Sequence, residues 1–385
     1  MNIAFIEEIE TYLQHDDYSL AVRRTLDMTL DTGDTTLMRK AIGLSKMYRE
    51  EVANGIQMKM TSTFFDTAKN ILANAASLQS HKNYTATSLL VANDIEKKYR
   101  KSIFSLKPMS LQLNTGNVLG VVGENGNGKT TLLRMLGGQL ALDGGNIEYN
   151  LLKNPDNYAI KNHVAFIPQR IPKWYGLLKD NLHFSASIAG VHGTQNELMV
   201  DYMLERLNLT EYAHLDWNRI SSGYRTRFEI ARILLQKPQL LILDEPLANL
   251  DIKAQQTILT DLIYIAKGTH NPMGIILSSQ QLHEVEKVAD TVIFIKQGEC
   301  MYSSKDVQTT AKKTTIEMET TATRAEIVTV FAEANMVVEV HFNGGFYTIV
   351  SNNFSANVVI KKIINSPLPI TYFRDITNST KRFFS

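Results

Sequence analysis

One stretch of the chain has the residue types and spacing to hold a phosphate group. Gly123-Glu124-Asn125-Gly126-Asn127-Gly128-Lys129-Thr130 reads G-x-x-x-x-G-K-[ST], between an apolar run (Val118 to Val122) and a helical one (Thr131 to Leu136). Small residues let successive backbone N–H groups curl around phosphate oxygens, and the dipole of the following helix favours negative charge there. On this reading Lys129 reaches the β- and γ-phosphates and the Thr130 hydroxyl ligates Mg²⁺. A second element, Leu240 to Leu243, ends in Asp244-Glu245, which sets two carboxylates at the C-terminal edge of a buried strand. Asp244 fits a metal-side carboxylate, and Glu245 a base that orients and polarises an attacking water. Between the two lies Ile220-Ser221-Ser222-Gly223-Tyr224-Arg225, a Ser-Ser-Gly turn opening a helix and so another anion site.

These groups need a scaffold, and hydrophobic periodicity supplies one. Apolar runs at 118–122, 163–167, 240–243, 274–278 and 291–295 alternate with helical segments, which predicts an α/β fold around a largely parallel, buried sheet. Residues 173–219 read mainly helical and form a subdomain of that unit. Before it, residues 1–85 hold three glycines and no proline, with apolar positions at helical spacing such as Phe64, Ala68, Ile71 and Ala75. Asp16-Asp17 and the stretch Asp31 to Asp34 read as caps between three or four helices. The tail predicts strand, helix, hairpin around Asn343-Gly344-Gly345, helix, strand: the split βαβ order. The expected division is therefore an all-α domain at 1–86, an α/β domain at 87–312, and a small α+β domain (βαββαβ) at 313–385.

Composition narrows the function. Forty basic against 39 acidic residues leave a net charge of +1, which argues against coating nucleic acid by long-range attraction. The basic run Lys97 to Lys101 accordingly reads as a solvated edge beside a nucleotide site. Cys300 stands alone, so neither an internal disulfide nor a cysteine-cluster zinc site is expected, and its reading is a small, partly buried hydrophobe at a strand end. No apolar run reaches membrane-spanning length, and the N-terminus lacks a basic, signal-like start; a cytoplasmic chain that does not itself cross a membrane is expected.

Taken together, the motifs resemble the cassette of ABC-type ATPases over roughly residues 89–310. The segment at 220–225 is similar to that family's LSGGQ signature, with Ser222 and Tyr224 in place of the usual Gly and Gln. The resemblance implies a loop from Gly123 through Thr131 binding ATP, with Tyr99 stacking on the adenine. It implies that Ser221, Ser222 and Gly223 close over the nucleotide of a second cassette, and that Ala248 to Asp251 form the D-loop between paired cassettes. Gln169 matches the Q-loop glutamine, which touches Mg²⁺ and the attacking water and faces the membrane partner. Gln280 aligns with the family's switch histidine, a departure that implies slow turnover; His283 is the alternative candidate for that role.

The tail is similar in layout to the small C-terminal domain of exporter ATP-binding subunits, while no family resemblance is read for the first 85 residues. The implied protein is a Mg-dependent ATP hydrolase: the ATP-binding subunit of an ABC-type transporter, exporter-like. It would work as a homo- or heterodimer of cassettes with a separate transmembrane permease, peripheral on the inner face of the cell membrane, with no nucleic-acid partner. Two rival readings are a regulatory clamp with little turnover and a soluble ABC ATPase unconnected to transport. Against the second, the interval from Lys129 to Ser221 leaves no room for a DNA-repair coiled coil, and each motif occurs once.

Overall fold

The computed structural model describes residues 2–55, 60–78, 87–99, 104–150, 157–248, 250–268, 272–303, 314–343 and 345–377. Arg100, Lys101, Asn249, Gly344 and the expected domain limits at 86 and 312 lie outside them.

The opening segment forms four helices: α1 (Asn2–Gln14), α2 (Tyr18–Thr32), α3 (Thr35–Ala53) and α4 (Ser62–Leu78). Their ends follow from side-chain chemistry. Asp17 and Asp34 accept from Leu20 N (3.3 Å) and Leu37 N (2.8 Å), satisfying otherwise orphaned donors at the starts of α2 and α3. Gly33 ends α2 at φ 68°, a left-handed conformation that favours glycine. The apolar faces meet in a core that includes Ile9, Leu26, Phe64 and Ile71.

The α/β unit then runs β1 (Ser88–Lys98), β2 (Ser105–Asn114), β3 (Val118–Val122), α5 (Lys129–Leu136), β4 (Gly144–Tyr149), α6 (Asn157–His163) and β5 (Val164–Ile167). It continues through α7 (Leu178–Ile188), α8 (Gly193–Arg206), α9 (Ser222–Leu234), β6 (Leu240–Leu243), α10 (Ile252–Ala266), β7 (Gly274–Ser279), α11 (Leu282–Glu286), β8 (Thr291–Lys296) and β9 (Glu299–Ser303). The main sheet has the order β5-β6-β7-β3-β8-β9, and every pairing is parallel except β8 with β9. Strands β3, β6 and β7 are buried along their whole length, as a sheet covered on both faces requires.

One face, through Leu119, Val121, Leu240 and Ile242, packs on α5 and on a separate antiparallel sheet, β2-β1-β4. The other, through Val118, Leu241, Leu243 and Leu277, packs on residues of α7 to α10. Helix α8 serves two cores: Met203 and Leu204 belong to that second one, whereas Leu198 and Tyr202 sit in the core of α1 to α4.

The tail has the order β10 (Thr314–Thr320), α12 (Arg324–Ala332), β11 (Glu339–Asn343), β12 (Phe346–Ser351), α13 (Ala356–Ile364), β13 (Ile370–Asp375). Its strands pair antiparallel as β11-β12-β10-β13. Inserting β12 between β10 and β11 is the split βαβ arrangement. Helix α12 starts in a reciprocal capping box: Thr323 N donates to Glu326 Oε2 (2.7 Å), and Glu326 N donates to Thr323 Oγ1 (3.4 Å). Those hydrogen bonds hold the Glu326 carboxyl below the usual range. Among the described residues no helix is long and apolar enough to cross a membrane.

Candidate functional site

Strand register builds the first half of the site. Val122 pairs with Ser279, Leu243 with Leu277, and Ile167 with Leu243. The residues that follow these pairs, Gly123, Asp244, Gln169 and Gln280, therefore emerge at the same C-terminal edge of the sheet, where open α/β sheets carry ligands. Asp244 is fixed from both sides. Its backbone N–H donates to Ile167 O (2.9 Å), and its Oδ1 accepts from Ser278 Oγ (2.8 Å). Ser278 also accepts from Glu245 N at 2.8 Å, so one buried hydroxyl orients both acidic residues.

Glycine is required twice in the loop that follows β3. A Cβ on Gly123 would lie 2.3 Å from Ile295 O, so the strand-to-loop corner admits no side chain. Gly128 sits at φ 103° as the residue before α5, and a Cβ there would meet the Phe104 ring at 2.6 Å. The Lys129 ammonium is buried inside the loop. It donates to Gly123 O (2.7 Å) and Glu124 O (3.1 Å) and pairs with Glu245 Oε1 at 2.9 Å. Thr130 Oγ1 donates to Asp244 Oδ2 at 2.8 Å.

Glu245 itself holds φ 51°, an uncommon conformation for a non-glycine residue and one often found where a side chain must be aimed. Asn127 is turned away from the mouth of the loop: its Oδ1 accepts from Gln297 N (3.0 Å) and its carbonyl from Gly298 N (3.1 Å), bracing the β8–β9 turn. Glu124, Asn125 and Gly126 are exposed, as are Gln169 and Gln280. Tyr99, 38% exposed, lies over the start of α5 with its hydroxyl 3.3 Å from Thr131 Oγ1, so its ring borders the loop. His283 is held by its own helix, with Nε2 2.8 Å from Glu284 Oε1.

The other half lies elsewhere. Ser221 precedes α9 as its N-cap and Ser222 and Gly223 form its first turn, while Asp251 caps α10 by accepting from Ala254 N (2.8 Å). Gly223 is set against Leu250 and Ala254, which joins the starts of the two helices. Tyr224, where the family signature has Gln, packs its ring on Tyr212 with centroids 3.9 Å apart. Burial and the hydrogen bond with Tyr212 push its phenol up to about 12. Arg227 stacks on the Tyr224 ring at 5.4 Å, and burial lowers its guanidinium pKa. Ser221, Gly223 and Asp251 border a cavity of about 810 Å³ shared with α2 and α3, not with the phosphate loop.

Two features escaped the sequence reading. Ser278 had a faint signal, a polar residue near the end of the apolar run Gly274–Ser279. The contact of the signature end with the N-terminal helices had none, because it joins residues far apart in the chain.

The geometry suits a nucleoside triphosphate with a divalent cation. The side-chain-free corner at Gly123 and the buried ammonium of Lys129 fit a phosphate chain, and the Thr130 hydroxyl beside Asp244 offers the hard oxygen ligands that Mg²⁺ prefers.

Comparison with known proteins agrees. A family profile described as "ABC transporter" matches residues 106–248. The chain is 31% identical over 219 residues to the uncharacterized ABC transporter ATP-binding protein YxlF of Bacillus subtilis, a match covering 56% of this chain and 71% of that protein. It is 31% identical over 214 residues to the linearmycin resistance ATP-binding protein LnrL of the same bacterium, covering 55% of this chain and 67% of LnrL. With the spermidine/putrescine import ATP-binding protein PotA of Protochlamydia amoebophila it shares 33% identity over 219 residues, spanning 54% of this chain and only 56% of that protein. Among solved structures, cbiO1 from Clostridium perfringens, part of the ABC transporter complex cbiONQ, aligns with a TM-score of 0.50 at 23% identity over 56% of this chain and 88% of that one, a likeness of fold. The chain belongs to the family of ABC transporter ATP-binding proteins.

Proposed function

We propose that this chain binds and hydrolyses Mg-ATP as the motor subunit of an exporter, pairing with a second cassette across two nucleotides to drive a separate membrane permease. The observation that carries the reading is the convergence of Lys129, Thr130, Asp244 and Glu245 around one loop. Lys129 binds the β- and γ-phosphates, Tyr99 stacks on the base, and Thr130 with Asp244 holds Mg²⁺. The metal, when bound, neutralises charge developing on the phosphates. Glu245 exchanges its pairing with Lys129 for the attacking water and orients it in line, while Gln169 and Gln280 touch water and γ-phosphate from the neighbouring strand ends. Ser221, Ser222, Gly223 and Asp251 serve the nucleotide of the opposing cassette.

Exposed apolar side chains past Gln169, namely Tyr175, Leu177, Phe184 and Ile188, support docking of a membrane subunit at the inner face of the membrane. The exporter direction is supported by the resistance function in the name of LnrL and by the layout of the tail; the import function in the name of PotA points the other way. The three-part division proposed at 1–86, 87–312 and 313–385 follows the change of element type along the chain.

Sedimentation of the Glu245→Gln chain tests the reading. Hydrolysis should slow on the order of 10²- to 10⁴-fold, and ATP should trap a dimer that ADP does not. A Glu245→Gln chain that stays monomeric in ATP, both alone and with its permease, would rule out the sandwich.

A further inference from the structure

The N-terminal helices reach the signature end of the cassette through a continuous set of contacts. Arg49 of α3 grips Glu205 with two hydrogen bonds, Nη1 to Oε2 (2.7 Å) and Nη2 to Oε1 (2.8 Å), and Ser45 Oγ adds a third at 2.8 Å. The Glu205 side chain is 3% exposed and that of Arg49 26%, so this is a half-buried bidentate pair whose planar geometry orients both partners. Glu205 and Arg206 form the last turn of α8, and Arg206 Nε donates to Asp27 of α2 at 2.5 Å. From that turn the chain runs through Leu207–Ile220 directly into Ser221. Midway, Tyr212 stacks on Tyr224 of α9, in the turn that carries Gly223. Arg49, Glu205, Tyr212, Ser221 and Tyr224 border the same cavity. On the far side, Arg23 of α2 pairs with buried Asp261 of α10, the helix against which Gly223 rests.

We propose that Arg49, acting through Glu205, is a positioning residue for the signature end: the N-terminal helices set where Ser221 to Gly223 stand when a second cassette presents its nucleotide. The inference rests on the sandwich reading above. It separates two steps. Binding of nucleotide to the chain's own phosphate loop needs nothing from Arg49, whereas closure and turnover do. Lysine cannot replace it, because an ammonium is a point charge without the planar fork that matches a carboxylate.

The test compares full chains carrying Arg49→Ala, Arg49→Lys, Tyr212→Ala and the exchanged pair Arg49→Glu with Glu205→Arg. Four quantities are read: the Kd for Mg-ADP, the kcat and the KM for Mg-ATP, and ATP-induced dimerisation in the Glu245→Gln background. The Kd for Mg-ADP should stay within about 2-fold of the unsubstituted chain while kcat falls about 2- to 30-fold. Dimerisation should need more ATP, and the exchanged pair should recover part of both losses. If Arg49→Ala does not fold, Arg49→Lys and Tyr212→Ala carry the same expectation.

Equal kcat and equal dimerisation in folded variants would overturn the role of Arg49, as would a Mg-ADP affinity that falls in step with kcat. An unsubstituted Glu245→Gln chain that never dimerises in ATP would instead overturn the sandwich reading and this inference with it.

Discussion

The phosphate-loop half and the signature half of the cassette are held by different means. Around Lys129 backbone groups supply many of the fixed points: carbonyls of Gly123 and Glu124, the N–H of Asp244, and a corner where Ile295 O leaves no space for a side chain, with the side chains that join them drawn from the sheet edge itself. Around Ser221 they are side chains: Arg49 on Glu205 and Asp27 on Arg206 join distant parts of the chain, and Tyr212 packs on Tyr224 between them and the helix start. Backbone geometry binds any triphosphate in the same way, so it can be written as a short local motif. A side-chain mount can be retuned by one substitution without touching the chemistry. On the function proposed above, the first half would set what is bound and the second when it is used.

This contrast predicts a hierarchy of effects. Lys129→Ala removes the only buried cation among the described residues of the loop and should abolish tight Mg-ATP binding, a loss on the order of 10²-fold or more by fluorescence titration. Unchanged affinity would remove the loop from the site.

Asp27→Ala should act on the other half alone. It leaves Arg206 buried without its 2.5 Å partner and should cost about 3–5 kcal/mol of stability in denaturant unfolding, with the Mg-ADP affinity of the folded chain unaltered. A cost below about 1 kcal/mol would show that the two halves do not differ in kind.

Gln280 stands beside Gly123 at the strand ends and tests the catalytic edge more gently. A neutral amide donates a weaker hydrogen bond to the γ-phosphate than a cationic imidazole, a difference of about 1–2 kcal/mol. Gln280→His should therefore raise kcat roughly 5- to 30-fold, and Gln280→Ala should lower it. Equal rates for all three would mean that position 280 never meets the phosphate.

The smallest effect is expected of the tail, whose core of Ile316, Ile327, Phe331 and Ile349 is its own. Glu326 has its folded-state pKa depressed by the hydrogen bonds of Thr323, so its contribution to stability is full above the unfolded pKa and is lost as pH falls through the folded one. Thr323→Ala should flatten that acid-side loss in thermal melts of the full chain and leave ATP turnover unchanged. A changed turnover would show that the tail bears on the site.

What the sequence disclosed follows the same division. The strands β3, β5, β6, β7 and β8 were legible because a doubly covered sheet demands short continuous apolar runs. The loop, the acidic pair and the tail order were legible because each is local. The antiparallel sheet β2-β1-β4 was not: register shifts between Ala92 and Ile95 and again before Lys97 break the alternation that would mark β1 as a strand. Helix α8 looked like any amphipathic helix, and nothing in its own residues told that Leu198 and Tyr202 face one core and Met203 and Leu204 another. Ser278 showed only as a polar residue near the end of an apolar run, and its role depends on which strand lies beside β6.

The shared helix has a consequence for how the protein is made. Helices α1 to α4 leave the ribosome before α8, yet Leu198 and Tyr202, with the Tyr202 hydroxyl bonded to Leu26 O, complete their core from far downstream. At about 5–20 residues per second, synthesis from Leu78 to Tyr202 takes roughly 6–25 s. Through that interval the N-terminal apolar faces wait with one wall missing, a nascent surface suited to capture by a chaperone. Any pause in translation before α8 (Gly193–Arg206) has cleared the ribosome would lengthen that exposure.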